Sequence, residues 1–587
     1  MTLSYTKLNE KENVCRHGGT HRWGILSIHT GLLTGIAAAA MVLLSACRTG
    51  GVTSAPTGSS EKPNSERKVD PMTKGLRIGW GRRSLNPGRP VPIPGQFYLR
   101  VSLGELNPVT VNALAIDNGE DSVIFVSADV VAFTDGMLRR TIEKIRVSAP
   151  EIPVDKIVLN ATHTHAGPRG ASTDYPHDVD VMSRDEAMDF LATRIAEAIA
   201  EAWKNRAPGQ VAYGYGFATV GHSRRVVYRD DVSKRPESKA RPGLAVNGHG
   251  VMYGNTNDPM FSHYEAGTDS FINILYTFDM GGRLTGAIVN VPCPAQNGEF
   301  MWMLHAGFWH PVRERIRAKY GDIGIIGQCA AAGDLAPRQL HYLDAELRRY
   351  KLKYPEKYAY LAAHPFPYPE GYFKSAASAE KRHRGDMLDM LRTEDIGERI
   401  AAAFDEVLEW ARRDMQSAPE LRHIVRKVKL DRRRFTEDIY LAERANYEKA
   451  MAETWQRTGN KWHDFRSNSI LSSRRARSKR VVDAYEHPGE SELVTTVHAV
   501  RIGGAAFVSN RFELFIDYMH RIQARSPFVQ TFIVQLTADE EGNASYLATE
   551  RAIANKGYSA SPYCNSVSAG GGQQLVEYTL KMLEELK

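Results

Sequence analysis

The residue types best suited to chemistry lie together in the segment 160–168, which contains His163 and His165. This segment follows an apolar run at 157–159 that predicts a β-strand. Side chains at positions i and i+2 of a strand point to the same face, so the two imidazoles are expected to share one site. Imidazole is a common zinc ligand, and two ligands on one strand need little further ordering. The spacing therefore predicts a metal site at the end of this strand.

Two further polar clusters have residue types suited to binding. The run Gly221-His222-Ser223-Arg224-Arg225 follows a strand-like segment, and it predicts either a site for an anionic or hydroxyl-rich group or a salt-bridged loop. His305 and His310 lie close to a predicted helix start, since Pro311 suits the first helical turn. Either histidine is a candidate for an additional metal ligand, and the alternative is a surface histidine with ordinary partners.

The elements that must position these residues alternate between strands and helices. Predicted strands lie at 122–127, 156–162, 286–291 and 323–328, and predicted helices at 136–147, 185–205 and 308–320. Such alternation is typical of a layered α/β core. Strand character returns at 505–509 and 528–536, and a helix is predicted at 573–586.

The segment from about 344 to 488 differs in composition from the rest. Its charge is higher and helical patterns dominate, as at 395–415. Because strands are predicted on both sides of it, we interpret residues 75–587 as one core that carries a large helical insertion at about 344–488.

The composition is that of an ordinary globular protein. Of 587 residues, 42% are hydrophobic and 24% charged, which excludes collagen-like, coiled-coil and wholly disordered proteins. The net charge of +7 is a weak basic bias over this length, and it gives no reason to expect a nucleic-acid partner. The oligomeric state is not indicated by any pattern.

The amino-terminal residues have the pattern of an export signal. A basic, polar start is followed by an apolar stretch at about 23–44 and by Leu44-Ser45-Ala46-Cys47. This ending resembles a bacterial lipobox, which implies a signal peptide at 1–46 and lipidation of Cys47, with a transmembrane anchor as the alternative. Residues 47–74 are rich in Ser, Thr, Gly and Pro and predict a flexible tether. The expected location is the bacterial cell envelope, with the protein held on the membrane by its lipid and facing the periplasm or the exterior.

Six short segments, taken in order, resemble signatures of the neutral/alkaline ceramidases. Residues 160–168 are similar to the family's Thr-His-Thr-His-Ser-Gly-Pro. The other five are Gly79-Trp80-Gly81-Arg82, Val126-Ser127-Ala128-Asp129, Gly333-Asp334-Leu335-Ala336-Pro337, Arg511-Phe512-Glu513-Leu514-Phe515 and Ser545-Tyr546-Leu547-Ala548-Thr549. The resemblance covers roughly 76–340 and 495–587. It implies a mixed-sheet, layered α/β catalytic core of neutral ceramidase type with a helical insertion, without the family's C-terminal immunoglobulin-like domain.

The resemblance also implies a function and a site. The family hydrolyses the amide of ceramide, an N-acylsphingosine, with one zinc ion. By this resemblance His163, Glu513 and Tyr546 are zinc ligands, and His165 lines the site and contacts the substrate or the developing oxyanion.

Two positions depart from the family pattern. Cys293, in Pro292-Cys293-Pro294, stands where the family has its second zinc histidine. A thiolate is a good zinc ligand, so Cys293 is predicted to be the fourth ligand, with a buried inert thiol or a disulfide with Cys329 as alternatives. Ala336 stands where the family has the serine that takes part in amide cleavage.

Without that serine, zinc-bound water with a basic partner remains a workable route to hydrolysis. The candidate catalytic residues are His165, Asp129 and Asp334, and the alternative for Asp334 is loop hydrogen bonding. The leading hypothesis is a lipid-anchored, zinc-dependent hydrolase of sphingolipid-like amides. The alternatives are a hydrolase of another polar substrate, such as a carbohydrate derivative, and a binding protein that has lost catalysis.

Overall fold

The computed structural model describes residues 75–134, 136–236, 246–540 and 545–587, so the predicted signal peptide, Cys47 and the tether lie outside it. The strands are β1 Arg77–Ser84, β2 Pro92–Ile93, β3 Arg100–Val101, β4 Thr110–Asp117, β5 Ser122–Ala128, β6 Ile157–Ala161, β7 Ala207–Phe217, β8 His222–Ser223, β9 Arg225–Tyr228, β10 Gly250–Met252, β11 Phe261–Tyr264, β12 Phe271–Asp279, β13 Leu284–Val291, β14 Gly324–Cys329, β15 Leu335–Ala336, β16 Leu421–Asp431, β17 Glu492–Ile502, β18 Ala505–Ser509, β19 Glu513–Leu514, β20 Gln530–Val534 and β21 Tyr546–Leu547. The helices are α1 Met137–Ser148, α2 Arg184–Lys204, α3 Trp309–Tyr320, α4 Leu343–Lys353, α5 Pro355–Ala363, α6 Ala376–Ala411, α7 Glu437–Ala452, α8 Lys461–Glu486, α9 Ile516–Gln523, α10 Glu550–Asn555 and α11 Ala569–Leu586. Within these ranges no helix is long and apolar enough to cross a membrane.

A mixed eight-stranded sheet forms the centre of the fold, in the order β14-β13-β12-β7-β1-β4-β5-β6. The pairs β5–β6 and β13–β14 are parallel, and the others are antiparallel. The two edges of this sheet are therefore formed by parallel pairs. Strand β6, which ends before Thr162, belongs to one pair, and strand β13, which ends before Pro292, belongs to the other. The predicted mixed α/β fold class is confirmed.

Glycines at the start of the core allow helix α2 to lie directly on strand β1. A Cβ atom added at Gly79 or Gly81 would lie 2.1 Å from the carbonyl oxygen of Ala202 or Ala198. Such a contact is far inside the van der Waals limit, so only glycine fits at these two positions. Helix α2 is set in place at its other end by a capping box between Ser183 and Glu186.

A second, four-stranded sheet, in the order β16-β17-β18-β20, packs against the opposite face of the central sheet. Side chains of both sheets form one apolar cluster, in which the Phe125 and Phe507 rings lie 4.8 Å apart between centroids. Helices α2, α3 and α6 cover the outer face of the first sheet, and α9 and α11 cover that of the second. The described core thus has four layers, helix–sheet–sheet–helix.

The segment predicted as a helical insertion contains helices α4 to α8 but also the strand β16. This strand pairs with β17 along its whole length, from Leu421 opposite Ile502 to Asp431 opposite Glu492. Strand β16 is an edge strand, and its exposed positions carry charged side chains such as Lys427 and Lys429. Charged side chains on an edge strand prevent unwanted pairing with other strands. Here they also hid the pattern of apolar residues from which a strand would have been predicted.

The other predicted elements are present with shifts of a few residues at their ends. The predicted strands at 122–127, 156–162, 286–291 and 323–328 correspond to β5, β6, β13 and β14. The helix predicted at 395–415 is the second half of α6, whose first half was not predicted.

Candidate active site

His163 lies two residues beyond the end of strand β6 and has a left-handed backbone, with φ of 61°. The prediction that His163 and His165 share the face of a strand is therefore wrong, because β6 ends at Ala161. Their rings meet all the same, with 3.3 Å between the two Nε2 atoms. The turn after the strand brings the imidazoles together. A left-handed backbone is unfavourable for a residue other than glycine, so the surrounding structure must hold His163 in this conformation.

The ring of His163 is oriented by a backbone carbonyl. Its Nδ1 lies 2.6 Å from the carbonyl oxygen of Val131, which can only accept, so Nδ1 carries the proton. Burial, together with nearby His165, lowers the pKa of His163 well below its usual range. The ring is therefore neutral, and its Nε2 presents a lone pair to the site.

Glu513 reaches His163 from another segment, and Tyr546 lies beside Glu513. Strands β19 and β21 pair in parallel with Glu513 directly opposite Tyr546, so their side chains are neighbours. The Glu513 Oε2 atom lies 3.5 Å from Nε2 of His163. Burial raises the pKa of Glu513, against the opposing effect of Arg224, and burial also raises the pKa of the Tyr546 phenol.

Arg224, from the polar cluster noted in the sequence, completes the group. Its guanidinium donates to the Tyr546 hydroxyl at 3.1 Å and lies 3.8 Å from the Glu513 carboxylate. It also donates to the Gly333 carbonyl at 2.8 Å. A Cβ atom at Gly333 would lie 2.3 Å from the Glu513 carbonyl oxygen, so glycine is needed where this loop meets β19.

His165 connects this group to a second carboxylate. Its Nδ1 lies 3.5 Å from Oε2 of Glu299, which also accepts a hydrogen bond from Gln296 at 2.7 Å. Burial lowers the pKa of His165, and contact with Glu299 acts in the opposite direction. The pKa of Glu299 is lowered despite its burial, because His165, Arg338 and Gln296 together favour the carboxylate.

The remaining candidate catalytic residues have partners of their own. Both Asp129 oxygens bind the buried Arg313, at 2.6 and 3.1 Å, and Asp129 also accepts from Thr110 and Thr162. Asp334 is buried and accepts from the backbone N–H of Ile516 at 3.0 Å, which fixes the start of α9 just after Glu513. Burial raises the pKa of Asp334 to about 7. These contacts hold the segments that carry the cluster, and a direct chemical role for either residue stays a prediction.

Cys293 is fully buried near the end of strand β13. Its thiol contacts the Pro294 carbonyl oxygen at 3.5 Å, and the Cys329 thiol donates to the Cys293 carbonyl at 3.3 Å. Both cysteines are free thiols. Burial raises the pKa of Cys293 well above its usual range. Among the described residues no hydrogen bond or ion pair joins Cys293 to His163 or Glu513.

Two of the donors around His163 are types that a zinc ion prefers, an imidazole nitrogen and a carboxylate oxygen, and the Tyr546 phenol offers a further oxygen. The lone pair of His163 faces Glu513, and two acceptors 3.5 Å apart favour a proton or a cation between them. In the described part of the chain, no three or more His, Cys, Asp or Glu side chains are grouped so as to hold a metal. The side chains that lie together here are His163 and Glu513, with the Tyr546 phenol beside Glu513.

Sequence reasoning missed Glu299 and Gln296. Both lie in the irregular segment between β13 and α3, Gln296 three residues and Glu299 six residues beyond Cys293. A run of Gln296-Asn297-Gly298-Glu299 just after a predicted strand was an available signal, because polar groups at strand ends often face a site.

The sequence matches no family model and no curated protein. Two solved structures are similar in fold. The neutral ceramidase from Pseudomonas aeruginosa matches with a TM-score of 0.55 and 14% identity, over 87% of this chain and 75% of that one. A structure described as a ceramidase complexed with C2 matches with a TM-score of 0.53 and 16% identity, over 87% of this chain and 76% of that one. The chain therefore has a neutral ceramidase-like fold.

Proposed function

We propose that this protein is a zinc-dependent hydrolase with a neutral ceramidase-like site, and that it cleaves the amide bond of an N-acylated amine. The observation that carries the proposal is that Glu513 lies next to both His163 and Tyr546, although the three residues come from separate segments of the chain. Such a buried group of nitrogen and oxygen donors is costly for a fold to assemble unless it binds something.

Each residue of the group has a defined part. His163 is held in one tautomer by the Val131 carbonyl, as metal-bound histidines usually are. A bound zinc ion would lower the pKa of water and polarise a carbonyl group. Arg224 is placed to donate to a negatively charged oxygen beside Tyr546. His165, next to Glu299, is the residue best placed to accept and return a proton in place of the serine that Ala336 replaces.

Metal analysis of purified protein tests the proposal. We expect about one zinc per chain in the wild type, loss of that zinc in His163→Ala and Glu513→Gln, and no loss in the exposed-site control His487→Ala. Amide hydrolysis is expected to follow the metal and to stop with a chelator. Zinc bound equally by the wild type and both site variants would refute the assignment.

Cys293 as a further zinc ligand is a separate proposal. If it binds the metal, its thiol should react slowly with an alkylating agent in the zinc form and faster after chelation. Cys329 is the internal control, because it is equally buried and is not proposed as a ligand. Equal labelling of Cys293 in both forms would mean that it is a buried, inert thiol.

We also propose that the chain is a lipoprotein of the bacterial envelope, anchored through Cys47. The support is the lipobox-like Leu44-Ser45-Ala46-Cys47 after an apolar run. Cys47→Ser should move the protein from the membrane to the soluble fraction, whereas Cys564→Ser should not. A Cys47→Ser protein that stays fully in the membrane fraction would favour an uncleaved helix instead.

A second candidate function is hydrolysis of a polar, carbohydrate-like amide rather than a sphingolipid. The observation that favours it is the polar and charged surroundings of Glu299, which include Gln296 and Arg338. A protein that binds zinc but hydrolyses neither class of amide would instead be a binding protein that lost catalysis with the serine.

A further inference from the structure

The residues of the candidate active site are almost closed to solvent. His163, His165 and Tyr546 are 4%, 7% and 8% exposed, and the side chain of Glu513 is 15% exposed. An amide that is to be cleaved must bring its carbonyl group within about 3–3.5 Å of the groups that act on it. A substrate larger than a few atoms cannot do so while these side chains stay covered, so part of the cover has to move.

The β2–β3 loop, residues 94–99, forms an outer cover of the site. Its Gly95, with φ of 103°, lies directly on His165, because a Cβ atom added at Gly95 would be 2.7 Å from the imidazole ring. Gln96, the next residue, donates from its side-chain amide to the Glu299 carboxylate at 3.0 Å. The loop therefore blocks access to His165 and binds the carboxylate that lies beside it.

Phe97 extends this cover across the wall beside Tyr546. Its ring is perpendicular to that of Tyr558, with 5.1 Å between the centroids, and the Tyr558 ring lies 5.9 Å from that of Tyr546. Phe97 is nevertheless 44% exposed, so its other side is at the surface. The β2–β3 loop is thus a thin cover, with the site on one side and the surface on the other.

The middle of the β2–β3 loop is held by side chains rather than by its backbone. None of the backbone N–H groups of 95–98 donates a hydrogen bond to another residue in the described part of the chain. The ends of the loop are fixed, since Ile93 pairs with Arg100 and the Arg100 guanidinium donates to the Pro94 carbonyl at 2.7 Å. A segment with fixed ends and unbonded N–H groups between them can open at little cost in backbone hydrogen bonds.

Helix α8, which belongs to the charged insertion, contacts the outer side of the loop. The Arg477 guanidinium lies over the Phe97 ring, 4.6 Å from its centroid, and the Arg466 guanidinium lies 4.4 Å from the centroid of Tyr98. Cation–π contacts at partly exposed positions are individually weak. They therefore fasten the β2–β3 loop without preventing it from opening.

We propose that the β2–β3 loop is a lid over the candidate active site, fastened by helix α8, and that it opens to admit the substrate. The inference rests on the proposed amide hydrolysis and gives its site a gated entrance. Opening removes Gly95 from His165 and breaks the hydrogen bond between Gln96 and Glu299. Closing again excludes water from the reacting groups.

Carbethoxylation of histidine by diethyl pyrocarbonate measures this opening without zinc or substrate. The reagent must reach the ring of His165, which the loop covers at Gly95. His487 is exposed, and His305 is fully buried and bonded to Gly298 and Gly307 instead. In the wild type we expect mass spectrometry to show fast reaction at His487, slow reaction at His165 and none at His305.

Two variants loosen the lid from its outer side. Phe97→Ala keeps the backbone that covers His165 but removes one aromatic and one cation–π contact, so the rate at His165 should rise about tenfold. Arg477→Gln removes the cation–π contact alone and should raise that rate about threefold. Arg475→Gln is the matched control, because Arg475 lies over Trp455, at 4.2 Å, on the same helix but away from the lid. It should leave the rate at His165 unchanged.

An unchanged rate at His165 in either lid variant, or an equal rise in Arg475→Gln, would overturn the inference. So would a parallel rise at His305, since it reports loosening of the whole fold. If His165 responds as expected but the zinc-loaded protein cleaves no amide, the lid stands and the proposed hydrolysis fails. If an amide is cleaved while the rate at His165 is the same in all variants, the function stands and the lid fails.

Discussion

A buried pair of histidines makes the packing between the two sheets sensitive to low pH. His423 on β16 donates from Nδ1 to the Ser122 carbonyl at 3.0 Å, so its Nε2 must accept, and Nδ1 of His498 on β17 donates to it at 3.0 Å. Each ring is neutral in this arrangement, and a proton on the His423 Nε2 would place two donors against each other. The perturbation to apply is therefore a fall in pH.

The magnitude follows from the pKa values. Burial lowers the pKa of His498 to about 4, despite Asp539 and Asp155, which favour its charged form. Burial and then His498 lower that of His423 well below its usual range. The unfolded chain takes up protons near pH 6.5 and the folded one does not, so stability is complete above pH 6.5 and falls as the pH drops towards 4. Lowering the pKa of His498 from 6.5 to about 4 by itself corresponds to about 3 kcal/mol of unfolding free energy.

Equilibrium unfolding in urea between pH 4 and 7.5 measures this loss. His498→Asn retains a side-chain N–H that can donate to His423 but does not titrate. The unfolding free energy of this variant should therefore fall less steeply with decreasing pH than that of the wild type, by up to one proton, which is about 1.4 kcal/mol per pH unit. His487→Asn, at an exposed position, should leave the wild-type slope unchanged. Identical slopes for the wild type and His498→Asn would refute the reasoning.

Three further predictions concern stability, each checked by urea unfolding. Gly81→Ala should destabilise the protein by more than about 2 kcal/mol, because its Cβ would meet the Ala198 carbonyl. Gly385→Ala, in open space within α6, should stabilise the protein by about 0.5–1 kcal/mol. Equal effects of the two substitutions would contradict the close packing of α2 on β1. Arg313→Met should cost about 3–5 kcal/mol because it leaves the Asp129 carboxylate buried and unpaired, and a loss under 1 kcal/mol would mean that Asp129 reaches water. Burial raises the pKa of Asp334 in the folded protein to about 7, so its contribution to stability is complete below pH 3.8 and is lost as the pH rises to 7. Asp334→Asn should therefore be more stable than the wild type at pH 8, and this advantage should disappear at pH 4.

The sequence was enough to predict the strands whose residues are apolar throughout. Strands β5, β6, β13 and β14 form the two parallel pairs at the ends of the central sheet, and they are short and almost wholly buried, which is the pattern of parallel strands. Strand β16 was missed because its buried positions change face along the strand, from Leu421 and His423 to Val428 and Leu430, with charged residues between them. Local hydrophobicity therefore predicted the wholly buried parallel pairs better than the strands that have exposed positions.

Short motifs pointed to neighbouring residues of the candidate site but not to their geometry. The structure places Glu513 next to both His163 and Tyr546, and their role as metal ligands stays a prediction. That His163 leaves the strand in a left-handed turn could not be predicted, since no glycine marks the position. Glu299 reaches His165 through tertiary packing, and the polar run after a predicted strand was the signal for it that was overlooked.

The distances along the chain between the site residues have a consequence in time. His163 and Tyr546 are 546 − 163 = 383 residues apart, so at ribosomal speed Tyr546 is made about 20–80 s after His163. Until Glu513 and then Tyr546 are made, the growing chain has the two imidazoles of the candidate site without these two partners. The group of side chains in which we propose a zinc site is therefore complete only when the last strands have been made.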